Sequence, residues 1–244
     1  LHSFPTRRSS DLWSYTGAVI ITGETARKDN ADEVLSTLSD MAGDFVVATA
    51  GPDLESVLSA RGAGTDYISN EDRKVVANID VGGGTSNIAV FDRGDLAATS
   101  CLDIGGRLVK VSNGKISYIY EKLAEFIEEK GISIRVGDVA DRKSLRKVAD
   151  IMAEQLAMAV NLVPKDAYHK KLYTNDGTPV PDNARIEGIT FSGGVADIVY
   201  NPTEEDEFIY GDIGPILGKA INDCEAFSRS EEHTSELQSL GAIS

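Results

Sequence analysis

The sequence predicts an α/β protein built on a mixed β-sheet with flanking helices, and two observations lead to this prediction. Between residues 17 and 75, short β-branched runs alternate with helix-like segments, an order that is typical of layered α/β sheets. After residue 76, strand-like runs are joined by turn sequences such as Asn113-Gly114, which indicates antiparallel neighbours. Parallel strands in the first part and antiparallel strands in the second together give a mixed sheet.

Four elements are predicted in the first part. GAVIITG (17–23) and DFVVATAG (44–51) predict buried strands, because both are short, rich in β-branched residues and bounded by turn formers. ADEVLSTLSDMAG (31–43) has apolar residues at helical spacing and a closing glycine, which predicts a helix. PDLESVLSARG (52–62) predicts a second helix, since proline suits the first turn and glycine the end.

The second part begins with residues 87–106 and 107–120, which predict antiparallel strands with turns at residues 93–95 and 113–114. From Ser144, a helix is predicted that Pro164 ends. Its apolar residues form one stripe, which is typical of a core-facing helix rather than of a cofactor surface. The stripe consists of Leu145, Val148, Met152, Leu156, Ala159, Val160 and Val163.

The last part contains one more strand and one more helix. ARIEGITFSGGVAD (184–197) predicts a buried strand that runs into glycines. GDIGPILGKAIND (211–223) predicts a short helix with Pro215 near its start, where proline is tolerated. Residues 165–185 have no clear periodicity, so we expect a surface loop there.

Composition excludes several classes of function. The net charge of −15 and the isoelectric point near 4.6 argue against binding to nucleic acids or to anionic membranes. Cys101 and Cys224 are too far apart in sequence for a metal-binding pair, so two free thiols in a reducing, cytoplasmic setting are expected. No apolar run approaches the roughly 20 residues that a membrane-spanning helix requires.

The two ends of the chain differ in character from the rest. LHSFPTRRSSDL (1–12) and RSEEHTSELQSLGAIS (229–244) lack hydrophobic periodicity and resemble translated sequencing-adapter DNA. We therefore treat both as adapter-like artefacts and exclude them from functional reasoning. The natural segment is then expected to run over residues 13–228, as a fragment of a longer protein that is cut at both sides.

The stretch NIDVGGGTSNIAVFD (78–92) places Asp80 at the end of an apolar strand, before Gly82, Gly83, Gly84 and Thr85. Glycine inside a strand costs roughly 0.5–1 kcal/mol relative to alanine, so three together need a reason. Backbone N–H groups of glycines can converge on phosphate oxygens, and an aspartate can hold Mg²⁺ through water. A plain glycine-rich hairpin with a turn aspartate is the alternative, and the residues alone leave both open.

A second strand ends in the same way. ITFSGGVAD (189–197) puts Ser192, Gly193 and Gly194 between an apolar strand and a short helix. Glycines at this point would let a nucleobase and ribose approach the backbone, although a tight strand–helix turn has the same sequence requirement. Two such junctions suit a nucleotide in a cleft, with its phosphates at the first and its adenosine at the second.

These segments also resemble a known family. NIDVGGGTSNIAVFDRG is similar to the second phosphate loop of the actin and heat-shock chaperone ATPase superfamily, CLDIGG to the paired glycines that follow it, and ITFSGGVAD to the adenosine motif. Within that superfamily, GAVIITGETARKDNADEV, GDFVVATAGPDLESVLSARGAG, CLDIGGRLV, FSGGV and DIGPIL together resemble the EutA family of ethanolamine ammonia-lyase reactivating factors. The similarity runs through most of residues 16–220 and is weakest between residues 121 and 186.

The resemblance implies an actin-like (ribonuclease H-like) ATPase fold that is incomplete here. Residues 13–75 would form the C-terminal part of the first lobe and residues 76–228 the second lobe. The implied function is that of a chaperone-like ATPase which, with ATP and Mg²⁺, lets ethanolamine ammonia-lyase exchange damaged cobalamin for adenosylcobalamin. The implied location is the bacterial cytoplasm, in association with an ethanolamine microcompartment.

The resemblance also implies a role for each candidate residue. Asp80 would act as the catalytic residue that orients Mg²⁺-bound water, the loop from Gly82 to Thr85 would hold the phosphates, and Ser192, Gly193 and Gly194 would face the adenosine. In heat-shock chaperones, a glutamate that positions water stands just before the proline of the helix that precedes the phosphate loop. This chain has Gly51 at that position. We therefore expect slow hydrolysis in the intact protein.

Two features of the superfamily are not found in the sequence. The first phosphate loop and the closing C-terminal segment are both missing, so we expect little or no hydrolysis by this segment alone. Two other functions on the same fold stay open as alternatives, a small-molecule kinase and a filament-forming ATPase. A kinase would need a carboxylate general base, for which no compelling candidate is found.

Overall fold

The computed structural model describes residues 18–21, 46–49, 52–174, 177–202 and 207–228, which fall into two compact units divided after Gly51. The first unit contributes β1 (Ala18–Ile21) and β2 (Val46–Thr49), two parallel strands paired from Ala18 with Val46 to Ile21 with Thr49. Both strands were predicted at these places from the sequence. The helix predicted over residues 31–43 lies outside the described residues.

The second unit is built on a four-stranded sheet. Its strands are β3 (Val75–Val81), β4 (Ser86–Asp92), β5 (Asp95–Leu102) and β8 (Gly188–Ser192), in the order β5-β4-β3-β8. β3, β4 and β5 pair antiparallel, whereas β8 runs parallel to β3. The predicted mixed sheet is therefore confirmed. Two further strands, β6 (Val109–Ser112) and β7 (Lys115–Ile119), form a separate hairpin.

Helices flank this sheet. In chain order they are α1 (Pro52–Gly62), α2 (Thr65–Asp72), α3 (Glu121–Glu129), α4 (Arg142–Ala159), α5 (Ala196–Tyr200), α6 (Gly214–Asn222) and α7 (Glu225–Ser228). α1 and α2 pack on the strands, and both belong to the same compact unit as the sheet. The assignment of residues 13–75 and 76–228 to two lobes of the intact protein stays a prediction.

The apolar residues of the sheet form two cores. Ile88 and Val90 of β4 belong to a large cluster with residues of α4 and α6, whereas Ala89 and Phe91 cluster with Ala60 of α1. Successive side chains of a strand point to opposite faces, so the alternation along β4 places a helical layer on each side of the sheet.

Two hairpin turns confirm the sequence reasoning. Asn113 and Gly114 have φ values of 50° and 72°, and Arg93 and Gly94 have 53° and 90°. Positive φ at both central residues is the requirement of a tight two-residue turn between antiparallel strands.

The long helix α4 is confirmed, but its predicted end is wrong. Asp141 caps its start by accepting a hydrogen bond from the Ser144 N–H at 2.9 Å, and Leu145, Met152 and Leu156 are buried as predicted. The helix ends at Ala159 rather than at Pro164, because Asn161 adopts a left-handed conformation with φ 58°. Val160 is buried and Val163 half-buried, both beyond the helix.

The expectation of a plain surface loop over residues 165–185 is also wrong in part. His169–Leu172 form a 3₁₀ helix, and Tyr168, Leu172 and Val180 belong to the main core. His169 is buried because Gln155 and Tyr173 satisfy its two ring nitrogens, at 2.8 and 2.9 Å.

Cys101 and Cys224 form no disulfide within the described residues, in agreement with the predicted thiols; Cys101 is buried and Cys224 half-buried. Within the described ranges, no helix combines the length and the apolar character needed to cross a membrane.

Candidate functional site

The two glycine junctions lie side by side because of the sheet register. β3 and β8 run parallel, with Asp80 opposite Ser192 at the carboxyl ends of the two strands. The Val195 N–H donates to the Val81 carbonyl at 3.3 Å, which joins the segments that follow the strands. The sheet thus brings together two motifs that are more than one hundred residues apart in sequence.

The first junction forms a tight loop. The Gly82 N–H donates to the Thr85 carbonyl at 2.9 Å and closes the turn, and all four residues from Gly82 to Thr85 are half-buried. Within the described part of the chain, the N–H groups of Gly83 and Gly84 make no hydrogen bond to other residues. Two adjacent N–H groups of this kind can bind an anion.

A second pair of glycines, Gly105 and Gly106, packs against this loop. The Gly106 N–H donates to the Gly82 carbonyl at 3.0 Å, and the Arg107 N–H donates to the Gly83 carbonyl at 2.7 Å. A Cβ on Gly105 would overlap the backbone of Gly83 and Gly84. Gly105 and Gly106 were absent from the predicted site residues, although the motif CLDIGG that contains them was noticed in the sequence.

Asp80 is the carboxylate of the site. The pKa of Asp80 is raised above its ordinary value, mainly by burial and also by the neighbouring Glu55 carboxylate of α1. The hydroxyl groups of Ser192 and Ser59 lower this pKa and so offset part of the effect. A carboxylate with a raised pKa gains more than usual from a nearby cation, because the cation compensates for the water it has lost.

The second junction holds Ser192, Gly193 and Gly194. The Ser192 hydroxyl accepts a hydrogen bond from the Asn78 amide at 2.9 Å and lowers the pKa of Asp80, its neighbour in the sheet, so this side chain is engaged within the site. Gly193 has φ +86°, and a Cβ there would overlap the Asp80 carboxylate and the Val81 carbonyl. Gly194 is exposed, and a Cβ on it would meet nothing within 4 Å.

A cavity of about 290 Å³ lies between the two junctions. Gly82 and Gly83 line it on one side and Gly194 on the other. The remaining lining residues are Gly106, Arg107, Val195, Ile198, Tyr210, Asp212, Gly214 and Pro215. The structure thus places predicted residues of both motifs around a single space.

Sequence reasoning missed the polar residues at the far side of this cavity. The buried Asp212 accepts a hydrogen bond from the Gly214 N–H at 2.9 Å and lies 3.4 Å from the guanidinium of Arg107. Arg107 and Tyr210 are largely exposed at the rim. The proximity of Asp212 to Arg107 arises only in the folded chain, since 105 positions separate them.

The donor set suits magnesium better than zinc. Among the described residues there is no group of three His, Cys, Asp or Glu side chains that could enclose a metal ion. Mg²⁺ is commonly bound by one or two carboxylates together with water and substrate phosphates, a pattern that a single aspartate beside a glycine loop can match.

Comparison with known proteins gives the family. The chain matches the family described as "Ethanolamine utilisation protein EutA" over residues 13–241. That match extends past residue 228, and the assignment of residues 229–244 to an adapter-like artefact stays a prediction.

Two curated relatives carry the name "Ethanolamine ammonia-lyase reactivase EutA". The protein from Salmonella typhimurium is 38% identical over 213 residues, and the one from Escherichia coli is 37% identical over 218 residues. Each alignment covers 85% of this chain and 44% of the relative, so the chain spans less than half the length of these proteins.

Among solved structures, the PPX-GPPA enzyme of Aquifex aeolicus is 14% identical with a TM-score of 0.46, over 86% of this chain and 68% of that one. The extent of the family match and the identity to both curated relatives lead to one conclusion. The chain belongs to the EutA family of ethanolamine utilisation proteins.

Proposed function

We propose that the protein represented by this chain is an ATP-dependent, chaperone-like reactivating factor for ethanolamine ammonia-lyase. It promotes the exchange of damaged cobalamin for adenosylcobalamin in that enzyme, in the bacterial cytoplasm and in association with an ethanolamine microcompartment. The names of the two curated relatives support the partner enzyme. Because the chain spans 44% of those relatives, the proposal concerns the longer protein.

One observation carries the nucleotide part of the proposal. Gly82 and Gly83 of the first junction and Gly194 of the second line the same cavity, and Asp80 lies two residues before Gly82, opposite Ser192. If the glycines served only a hairpin turn, no second glycine motif would be required on the other side of a cavity. Two glycine-rich strand ends that face one space suit a ligand with a phosphate end and a flat, apolar end, as ATP has.

The residues take the following roles in this proposal. The N–H groups of Gly83 and Gly84 bind phosphate oxygens, and the Thr85 hydroxyl adds a further donor. Asp80 holds Mg²⁺ through bound water, and Ser192, Gly193 and Gly194 lie beside the adenosine. Mg²⁺ would neutralise phosphate charge when bound. The actin-like ATPase fold belongs to the same proposal, supported by the mixed sheet with helices on both faces.

Reactivation requires that the nucleotide changes an equilibrium between two conformations. A ligand shifts such an equilibrium only by its difference in affinity for the two states. The nucleotide-bound state must therefore bind ethanolamine ammonia-lyase in a form that loosens the cofactor. A factor of this kind needs only slow hydrolysis, in agreement with Gly51 at the position where heat-shock chaperones carry a glutamate.

The test is an assay of acetaldehyde production by ethanolamine ammonia-lyase that has been inactivated with its damaged cobalamin still bound. A chain extended to the length of the curated relatives should restore activity with Mg·ATP and adenosylcobalamin, and should not do so without ATP. The 244-residue chain should fail, because its sequence does not contain the first phosphate loop of the superfamily. Each charge-assisted hydrogen bond to phosphate that is lost with that loop weakens ATP binding by about 1.5–3 kcal/mol. Failure of the extended chain would reject the proposed function.

A further inference from the structure

A short polar ladder crosses the sheet beneath the candidate site. Asn78 and Asp80 of β3 stand opposite Thr190 and Ser192 of β8 in the parallel register. Positions two apart on a strand share a face, so these four side chains lie together on the face that α1 and α2 cover. Thr65 at the start of α2 joins them, with its hydroxyl 2.7 Å from that of Thr190.

The hydrogen bonds of this ladder connect end to end. Thr190 Oγ1 donates to Asn78 Oδ1 at 2.9 Å, and Asn78 Nδ2 donates to Ser192 Oγ at 2.9 Å. Ser192 stands opposite Asp80 in the register, and its hydroxyl, together with that of Ser59, lowers the pKa of the Asp80 carboxyl. The ladder therefore leads from a buried helix start to the carboxylate at the phosphate loop.

The two directed bonds fix the role of each group in the ladder. Thr190 donates to the carbonyl oxygen of Asn78, and the NH₂ group of Asn78 donates to Ser192. This leaves the single hydroxyl proton of Ser192 for the Asp80 carboxylate, which only accepts when it is ionised. The Thr190 proton is thereby committed to Asn78, and Thr65 must donate to Thr190.

Fold stability alone does not account for such a ladder. Asn78 and Thr65 are fully buried and Thr190 is 3% exposed. Buried polar groups that are paired contribute little more than apolar groups of the same shape, whereas an unpaired one is costly. A fully connected polar ladder among apolar strand residues instead fixes the orientation of the groups at its end.

We propose that Asn78 is a positioning residue for the candidate Mg²⁺ site: its amide holds the Ser192 hydroxyl so that the hydroxyl donates to the Asp80 carboxylate. Asn78 itself is fully buried. It acts on Asp80 only through Ser192, as outer hydrogen-bond partners of metal ligands commonly do. This inference rests on the proposed function for its consequence, but its geometry can be tested without any nucleotide.

The first experiment measures the side-chain torsion χ1 of Ser192 by three-bond NMR couplings in the 244-residue chain. The unsubstituted chain should show one rotamer, and Asn78→Leu should show averaging over several. Ser69→Ala is the matched control, because it removes a buried hydroxyl that bonds to the Lys74 carbonyl at 2.7 Å, outside the ladder. Averaging in the control as well as in Asn78→Leu, or one fixed rotamer in Asn78→Leu, overturns the proposal.

The second experiment compares ATP affinity with and without Mg²⁺ in a chain extended to the length of the curated relatives. Asn78→Leu should lose about 10- to 100-fold in affinity with Mg²⁺, and much less without it. Equal losses under both conditions would indicate a merely structural role and would overturn the proposal. Ser192→Ala should lose the same Mg²⁺-dependent part, and it serves as the test should Asn78→Leu not fold.

The double variant separates positioning from independent effects. If Asn78 acts through Ser192, adding Asn78→Leu to Ser192→Ala should cause no further Mg²⁺-dependent loss, whereas additive losses contradict the proposal. If the unsubstituted extended chain does not bind Mg·ATP, the proposed function fails, and the Ser192 torsion alone then decides the positioning role.

Discussion

Gly105 packs directly against Gly83, so that the paired glycines after β5 form the back of the candidate phosphate loop. A Cβ on Gly105 would overlap the carbonyl of Gly83, and the Arg107 N–H fixes that same carbonyl at 2.7 Å. The loop therefore owes its shape to a segment that lies 22 residues further along the chain.

The first prediction concerns this contact. Gly105→Ala should destabilise the fold by about 1–3 kcal/mol, because backbone atoms cannot move aside as a flexible side chain can. Urea denaturation of the purified variant measures the change. Gly62→Ala is the matched control, since a Cβ at the end of α1 meets nothing within 4 Å. Equal stability of Gly105→Ala and the unsubstituted chain would contradict the described packing.

The second prediction compares two neighbouring glycines. Gly193→Ala should lower both stability and nucleotide binding, because its φ is +86° and its Cβ would overlap Asp80. Gly194→Ala should keep its stability, since its Cβ meets nothing, and yet weaken ATP binding because Gly194 lines the cavity. Thermal melting and ATP titration of the extended chain separate the two effects. Unchanged binding in Gly194→Ala would remove the second junction from the site.

The third prediction concerns Asp80 and Gly83. Asp80→Ala should impair Mg²⁺-dependent ATP binding in the extended chain much more than it lowers the melting temperature. Removing this carboxylate costs the fold little at neutral pH, because its raised pKa shows that burial disfavours the charged form. Gly83→Val should block phosphate approach while the fold tolerates it, since the atoms nearest to its Cβ belong to the flexible side chain of Arg107, the first at 3.1 Å. Parent-like binding of Mg·ATP by both variants would mean that the turn is structural.

The fourth prediction concerns the pH dependence of stability. The pKa of His169 is lowered from 6.5 to about 4, mainly by burial and also by the charge of Lys165, while Asp166 acts in the opposite direction. The unfolded chain therefore binds more protons than the folded chain between these two values. The contribution of neutral His169 is fully present above pH 6.5 and is lost as the pH falls towards 4, by about 3 kcal/mol in all.

A comparison with His169→Gln isolates this contribution. The free energy of unfolding of the unsubstituted chain minus that of His169→Gln should fall as the pH is lowered from 7.5 to 4.5, measured by urea denaturation. Taking the difference cancels the titration of Asp80 and the other carboxylates, which both chains share. A difference that does not change with pH would show that His169 is not held neutral by its surroundings.

Local patterns were sufficient for most of the secondary structure. The two hairpin turns follow from residues that tolerate positive φ, and the strands from short β-branched runs. The helix α2 was missed, because its sequence TDYISNED is polar and has no apolar stripe. What holds it is tertiary: the Thr65 hydroxyl bonds to that of Thr190, and the Ser69 hydroxyl accepts a hydrogen bond from the Gly94 N–H at 3.1 Å.

The sequence by itself determined the two glycine motifs, the strand that precedes each of them and the family resemblance, because these depend on residue type over short stretches. Only the tertiary structure decided which residues meet. The parallel pairing of β3 with β8 places Ser192 beside Asp80 and extends the contact through Asn78 to Thr190. Strand register is fixed by the packing of whole faces, so no local pattern around residue 80 could have named its partner near residue 190.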